Sequence, residues 1–221
     1  MRLYKETTIR KQADEPTIKM LDLWHSLTKQ KMDTKIEVMV GDRREHPQLG
    51  SFLGEMHTAS PCIVENKVVL AVWLDTLTNV NSIILTHEIG HWVLKLQGFH
   101  GLIYRPDPHC NMEILLNSLV QHPPLYALQR SLEHEPQIEI DSRANHDIGL
   151  FGLREPNERN SQVNNALLLA DDLMNCSKNN CEKLMEIIGA KHPSTNRFIE
   201  KILFAAVHYN ILDAQQNLRF S

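Results

Sequence analysis

His87-Glu88-Ile89-Gly90-His91 carries the residues best suited to chemistry. On a helix, the H-E-x-x-H spacing sets two imidazoles one turn apart on the same face, where both can reach one metal ion. The glutamate between them can take a proton from a water polarised by that ion. The flanking residues, Ser82 to Thr86 and Trp92 to Gln97, are mostly apolar and suit a helix that Thr78 or Asn79 could N-cap and Gly98 could end. Two histidines and a glutamate on so apolar a helix are costly to bury unless paired or bound to metal. His87 and His91 are therefore expected to be metal ligands, with Glu88 as general base.

Catalytic zinc normally takes three protein ligands and keeps a fourth position for water. The short H-E-x-x-H-x-x-G-x-x-H solution fails, because Leu94 stands in place of the glycine and Gln97 in place of the last histidine. The other common solution puts a glutamate on a following helix. Glu113 is the best candidate, 22 residues after His91 in the otherwise apolar stretch Met112 to Leu116, where a buried carboxylate needs a compensating charge. Asn117, one turn on, could support it from behind. His122 is the strongest rival; Asp107, His109, Glu133 and Glu135 also remain open.

The elements that must position these groups are legible from periodicity. Residues 16–32 have helical spacing, Ile36 to Val40 alternate as a strand, and 41–54 are rich in turn residues. Cys62–Val64 and Val68–Leu74 suggest a strand pair turning at Glu65-Asn66-Lys67, directly before the motif helix. Asn111 to Val120 reads as a helix ended by His122-Pro123-Pro124, and Leu125 to Leu132 as another; 133–141 read as acidic and irregular. Val163–Cys176, Cys181–Ile188 and Asn196–Leu212 are helical in pattern. The expected fold is α+β: a small, mainly antiparallel sheet packed on the H-E-x-x-H helix, with a core over 1–155 and a helical C-terminal extension over 156–221.

Composition excludes other classes. Net charge is −4 and 42 % of residues are apolar; with a pI near 6.3 and no basic stretch, nucleic-acid binding is not expected. No run approaches the roughly 20 apolar residues of a membrane span, and no signal peptide is evident, so the expected location is cytoplasmic. The four cysteines (Cys62, Cys110, Cys176, Cys181) are scattered and read as reduced thiols.

Thr86-His87-Glu88-Ile89-Gly90-His91, followed by Glu113-Ile114-Leu115-Leu116-Asn117, resembles the core of gluzincin-type metallopeptidases and, within them, the small ImmA/IrrE-like proteins. The likeness spans about residues 60–120, and its second stretch is similar to that family's E-x-x-A-N helix, with Leu116 where the alanine stands. It implies a zincin-like fold, one zinc per chain held by His87, His91 and Glu113, and Glu88 as the base in hydrolysis of a protein or peptide substrate. The competing expectation is a zinc-binding protein of the same fold that recognises a partner without turnover. Retention of Glu88 favours the enzyme. His134, His146, Tyr104 and Tyr126 could each stabilise an oxyanion, and the sequence does not choose among them.

Overall fold

Val69 to Leu74 are buried without interruption, as befits a strand covered on both faces. In this computed structural model of the chain the described residues are 3–42, 58–74, 83–99, 112–151 and 155–208. They form an α+β structure of eight helices and one four-stranded sheet. Two units are distinguished: Met1–Phe99 with Leu128–His134, and His100–Ala127 with Glu135–Ser221.

The first unit contains β1 (Leu3–Lys5), α1 (Glu6–Arg10), α2 (Glu15–Met32), β2 (Glu37–Asp42), β3 (Thr58–Val64), β4 (Lys67–Leu74) and α3 (Ile83–Leu96). Sheet order is β1-β2-β4-β3. Both outer pairings are antiparallel and the central β2–β4 pairing is parallel, so the sheet is mixed, with antiparallel pairings in the majority. The reason lies in the hairpin. Glu65 and Asn66 both take positive φ (50° and 62°), the signature of a two-residue type I′ turn, which fixes β3 against β4. That turn leaves open which strand of the pair meets β2, and β4, apolar along its length, is the one that takes the buried place.

Gly41 faces this strand. A Cβ there would lie 2.4 Å from the Trp73 ring, so only glycine lets the indole sit flat on β2. Helix α2 starts where its sequence says it should, with the Asp14 carboxylate accepting from the Thr17 amide (3.0 Å) and a proline in the first turn. It packs on α3, and α3 in turn rests on β3 and β4. The Trp92 indole donates to the Ala59 carbonyl (3.1 Å), tying the motif helix to the edge strand.

The second unit is helical: α4 (Met112–Ser131), α5 (Gln137–Phe151), α6 (Arg159–Asn175), α7 (Lys178–Lys191) and α8 (Pro193–His208), with the last turn of α4 belonging to the first unit. Ala144 and Phe151 of α5 share one apolar core with Ala166, Leu169, Leu184, Ile188 and Ile199, so helices on both sides of residue 155 pack together. A second cluster joins Leu119 of α4 to Leu167 and Ala170 of α6.

Two expectations are corrected here. Pro123 and Pro124 do not end a helix; they lie inside α4, which runs unbroken to Ser131. Their missing amides delete two backbone hydrogen bonds, those that would have gone to the carbonyls of Leu119 and Val120. Packing compensates: Leu119, Leu125, Tyr126 and Leu128 are all buried. The stretch after Glu133 is also more regular than its acidity suggests, since α5 begins at Gln137. Among the described residues no helix is long and apolar enough to cross a membrane.

Candidate metal centre

Helix α3 presents the motif as expected. Its apolar positions Leu85, Ile89, Val93 and Leu94 are buried, which fixes the rotation of the helix and sends His87 and His91 out on one face. The helix closes on Gly98 at φ +98°. The Gly98 amide donates to the Lys95 carbonyl and the Phe99 amide to the Leu94 carbonyl, the paired bonds of a Schellman cap. The N-cap candidates Thr78 and Asn79 lie outside the described residues.

The two motif imidazoles meet edge to face, with Nε2 of His91 3.2 Å from Nε2 of His87. That separation suits a hydrogen bond between neutral rings. It suits a shared metal equally well: two Zn–N bonds of about 2.0–2.1 Å at a tetrahedral angle hold their nitrogens about 3.3 Å apart. Glu88, half-buried, follows His87 directly.

Gln129, fully buried in the last turn of α4 and part of the first unit, donates to the Ile83 carbonyl and to the Thr86 hydroxyl (both 3.0 Å), which holds the first turn of the motif helix. Within that unit His87 and His91 are the pair whose ring nitrogens could hold one metal ion. Imidazoles suit zinc by donor type, and a catalytic site adds one further protein ligand and keeps a fourth position for water.

In the second unit, His122 of α4 is held by a polar network of its own. It is buried, and its Nδ1 donates to Oδ2 of Asp171 on α6 at 2.6 Å. Asp171 accepts further from the Asn175 amide (2.9 Å) and pairs with Nη2 of Arg143 (2.9 Å). The same guanidinium reaches Oδ1 of Asp172 through Nε (2.8 Å) and donates to the Tyr126 hydroxyl through Nη1 (3.2 Å). Burial alone would push the Asp171 carboxyl up; the neighbouring His122 and Arg143 outweigh it and hold the group below the usual carboxylate range. Asp172, with Asp147 beside it, goes the other way: burial and a second carboxyl push it up.

The remaining candidates fall apart by location. Glu113 is in the first turn of α4, but its side chain lies outside the described residues, as do Asp107, His109 and Tyr104 altogether. Glu133 is exposed and ion-paired with Lys19, and Glu135 is exposed with its carboxylate on the Gln137 amide. Asn117 is half-buried on α4. Of the oxyanion candidates, His146 is exposed, His134 is buried with its pKa pushed down by desolvation, and Tyr126 is buried with its hydroxyl held by Arg143 and its pKa pushed up by burial. The Tyr126 ring lies 5.3 Å from that of His122. Cys62, Cys176 and Cys181 are free thiols, and burial pushes Cys176 up to about 12.

Asp171 and Arg143 are the functional candidates that sequence reasoning missed. They lie 49 and 21 positions beyond His122, at no spacing that marks a motif. The one available signal was the acidic pair Asp171-Asp172 directly after the apolar run Ala166–Ala170 of α6, which calls for a buried cation. No family model, curated protein or solved structure matches the chain.

Proposed function

We propose that the chain is a zinc-dependent metallopeptidase with a zincin-like arrangement of its first unit. The observation that carries this reading is the H-E-x-x-H pair on α3, whose ring nitrogens already stand at ligand spacing with Glu88 beside them. His87 and His91 would hold one zinc together with a third ligand, for which Glu113 is the candidate and His122 its rival. When bound, zinc supplies a Lewis acid and lowers the pKa of a coordinated water towards neutrality. Glu88 accepts the proton of the attacking water and returns it to the leaving amine, which is why a glutamate beside the ligands matters more than a fourth ligand would. A purely structural zinc site would favour four protein ligands and has no use for a base. The substrate class that fits is a protein or peptide.

The Glu88→Gln variant separates hydrolysis from binding. It is expected to keep one zinc per chain and to lose cleavage of a complex peptide mixture, read by mass spectrometry, by about 10²–10⁴-fold, the usual worth of general acid–base catalysis. Cleavage at the wild-type rate would remove Glu88 from the mechanism. A zinc-loaded wild type that cuts nothing in the mixture would favour a partner-binding protein instead.

A further inference from the structure

We propose that Cys176 and Cys181, at the corner between α6 and α7, are a redox-sensitive pair that a peroxide closes to a disulfide. The pair lies wholly within the second unit and does not depend on the metal centre.

The start of α7 brings the two thiols together. Ser177 is its N-cap, so Cys176 stands one residue before the cap and Cys181 at the fourth helical position. Side chains at these two positions turn towards each other across the first turn of a helix, the arrangement by which apolar residues staple a helix start. A disulfide needs Cβ atoms within about 3.5–4.5 Å, and this is the local geometry that supplies such an approach between residues five apart. The backbone on both sides is fixed. The Cys176 amide donates to the Asp172 carbonyl (2.8 Å) and the Cys181 amide to the Ser177 carbonyl (2.9 Å).

Helix α5 bolts the corner without using either sulfur. Oδ1 of Asp141 accepts from the Ser177 amide (2.7 Å), the Asn180 amide reaches the Asp141 carbonyl (3.3 Å), and the Gln137 amide donates to the Asn175 carbonyl (3.2 Å). The thiols are therefore held in register while the cap itself rests on other groups. Both are free and half-buried, within reach of a molecule as small as hydrogen peroxide.

Their surroundings set an order of reaction. Cys176 packs against the apolar core of Ala144, Leu169 and Leu184. Burial, with Cys181, Asp172 and Asp141 close by, pushes its thiol up to about 12, which makes it the poorer first nucleophile. The Cys181 sulfur attacks the peroxide, gives its proton to the departing hydroxide, and becomes a sulfenic acid. The Cys176 sulfur then attacks that sulfur, and its proton leaves with the sulfenic oxygen as a second water. Two thiols are oxidised to one disulfide while hydrogen peroxide is reduced to two waters.

The test uses the reduced, full-length protein, treated with hydrogen peroxide, alkylated and digested with trypsin. Cleavage after Lys178 separates the two cysteines, so the disulfide joins peptide Asn160–Lys178 to peptide Asn179–Lys183. That linked pair, lighter by two hydrogens than the free peptides and released by dithiothreitol, is the expected product. In Cys176→Ser, dimedone should capture a sulfenic acid at Cys181; in Cys181→Ser, Cys176 should remain reduced under the same treatment. Two alkylated thiols in treated wild type, or links to Cys62 or Cys110 in place of this one, would overturn the proposal and leave an ordinary staple. A dimedone adduct at Cys176 in Cys181→Ser would overturn the order of reaction.

Discussion

Replacing His91 by alanine is expected to strip the protein of tightly held zinc. Loss of a direct ligand costs more than loss of a group behind it, so the drop in affinity should exceed the roughly 10–100-fold assigned to such supporting groups. After dialysis against a weak chelator, His91→Ala should retain well under one zinc per chain by elemental analysis. The fold should survive, because His91 is only half-buried. Full retention of zinc by His91→Ala would take the histidine out of the metal site. Glu113→Gln and His122→Ala, treated the same way, assign the third position: the variant that loses its zinc names the third ligand.

That contrast shows where sequence reading reached and where it stopped. The motif helix, its glycine cap, the hairpin before it and the helical spacing of α2 were all legible, because each is dictated by contacts within a few residues. His122 was visible only as a rival. Two consecutive prolines signal a helix end locally, and only the burial of Leu119, Leu125 and Leu128 keeps α4 running through them. The parallel β2–β4 pairing was hidden for a similar reason: alternation marks strands but not their neighbours. β1, three residues long, is too short to show a period at all.

The second large effect lies away from the metal centre, at Glu6. This carboxylate is buried at the start of α1 and accepts from Nε2 of His25 (2.8 Å), Nε of Arg10 (2.6 Å) and the Val38 amide (2.9 Å). One side chain thus ties α1 to α2 and to the central strand β2. Arg10 continues the network to Asp22 (2.8 Å) and approaches Nδ1 of His25 (3.3 Å). Burial works against the charged form of Glu6, yet the bonds from His25, Val38 and Arg10 overcome it and hold the group at about 2.

Glu6→Gln is therefore expected to destabilise the first unit by about 3 kcal/mol at neutral pH, the free energy that corresponds to holding the carboxyl at about 2 instead of 4.5. Denaturant unfolding followed by tryptophan fluorescence measures this, since Trp24 and Trp73 are buried in that unit. The pH dependence has a definite sign. The folded-state pKa lies below the reference value of 4.5, so the carboxylate contributes its full stability above about pH 4.5 and loses it as pH falls towards about 2. Wild type should weaken through that window, and Glu6→Gln should weaken less steeply. Unchanged stability in the variant, or parallel acid profiles, would mean that the network contributes nothing net.

The most direct test of the account as a whole is the zinc content of the wild-type protein, purified without a histidine tag and measured by elemental analysis. One zinc per chain, retained through dialysis, is the predicted result. Protein that arrives free of metal and takes up no added zinc would contradict the account. The two motif imidazoles would then be an ordinary hydrogen-bonded pair, and the peptidase reading would fall with them.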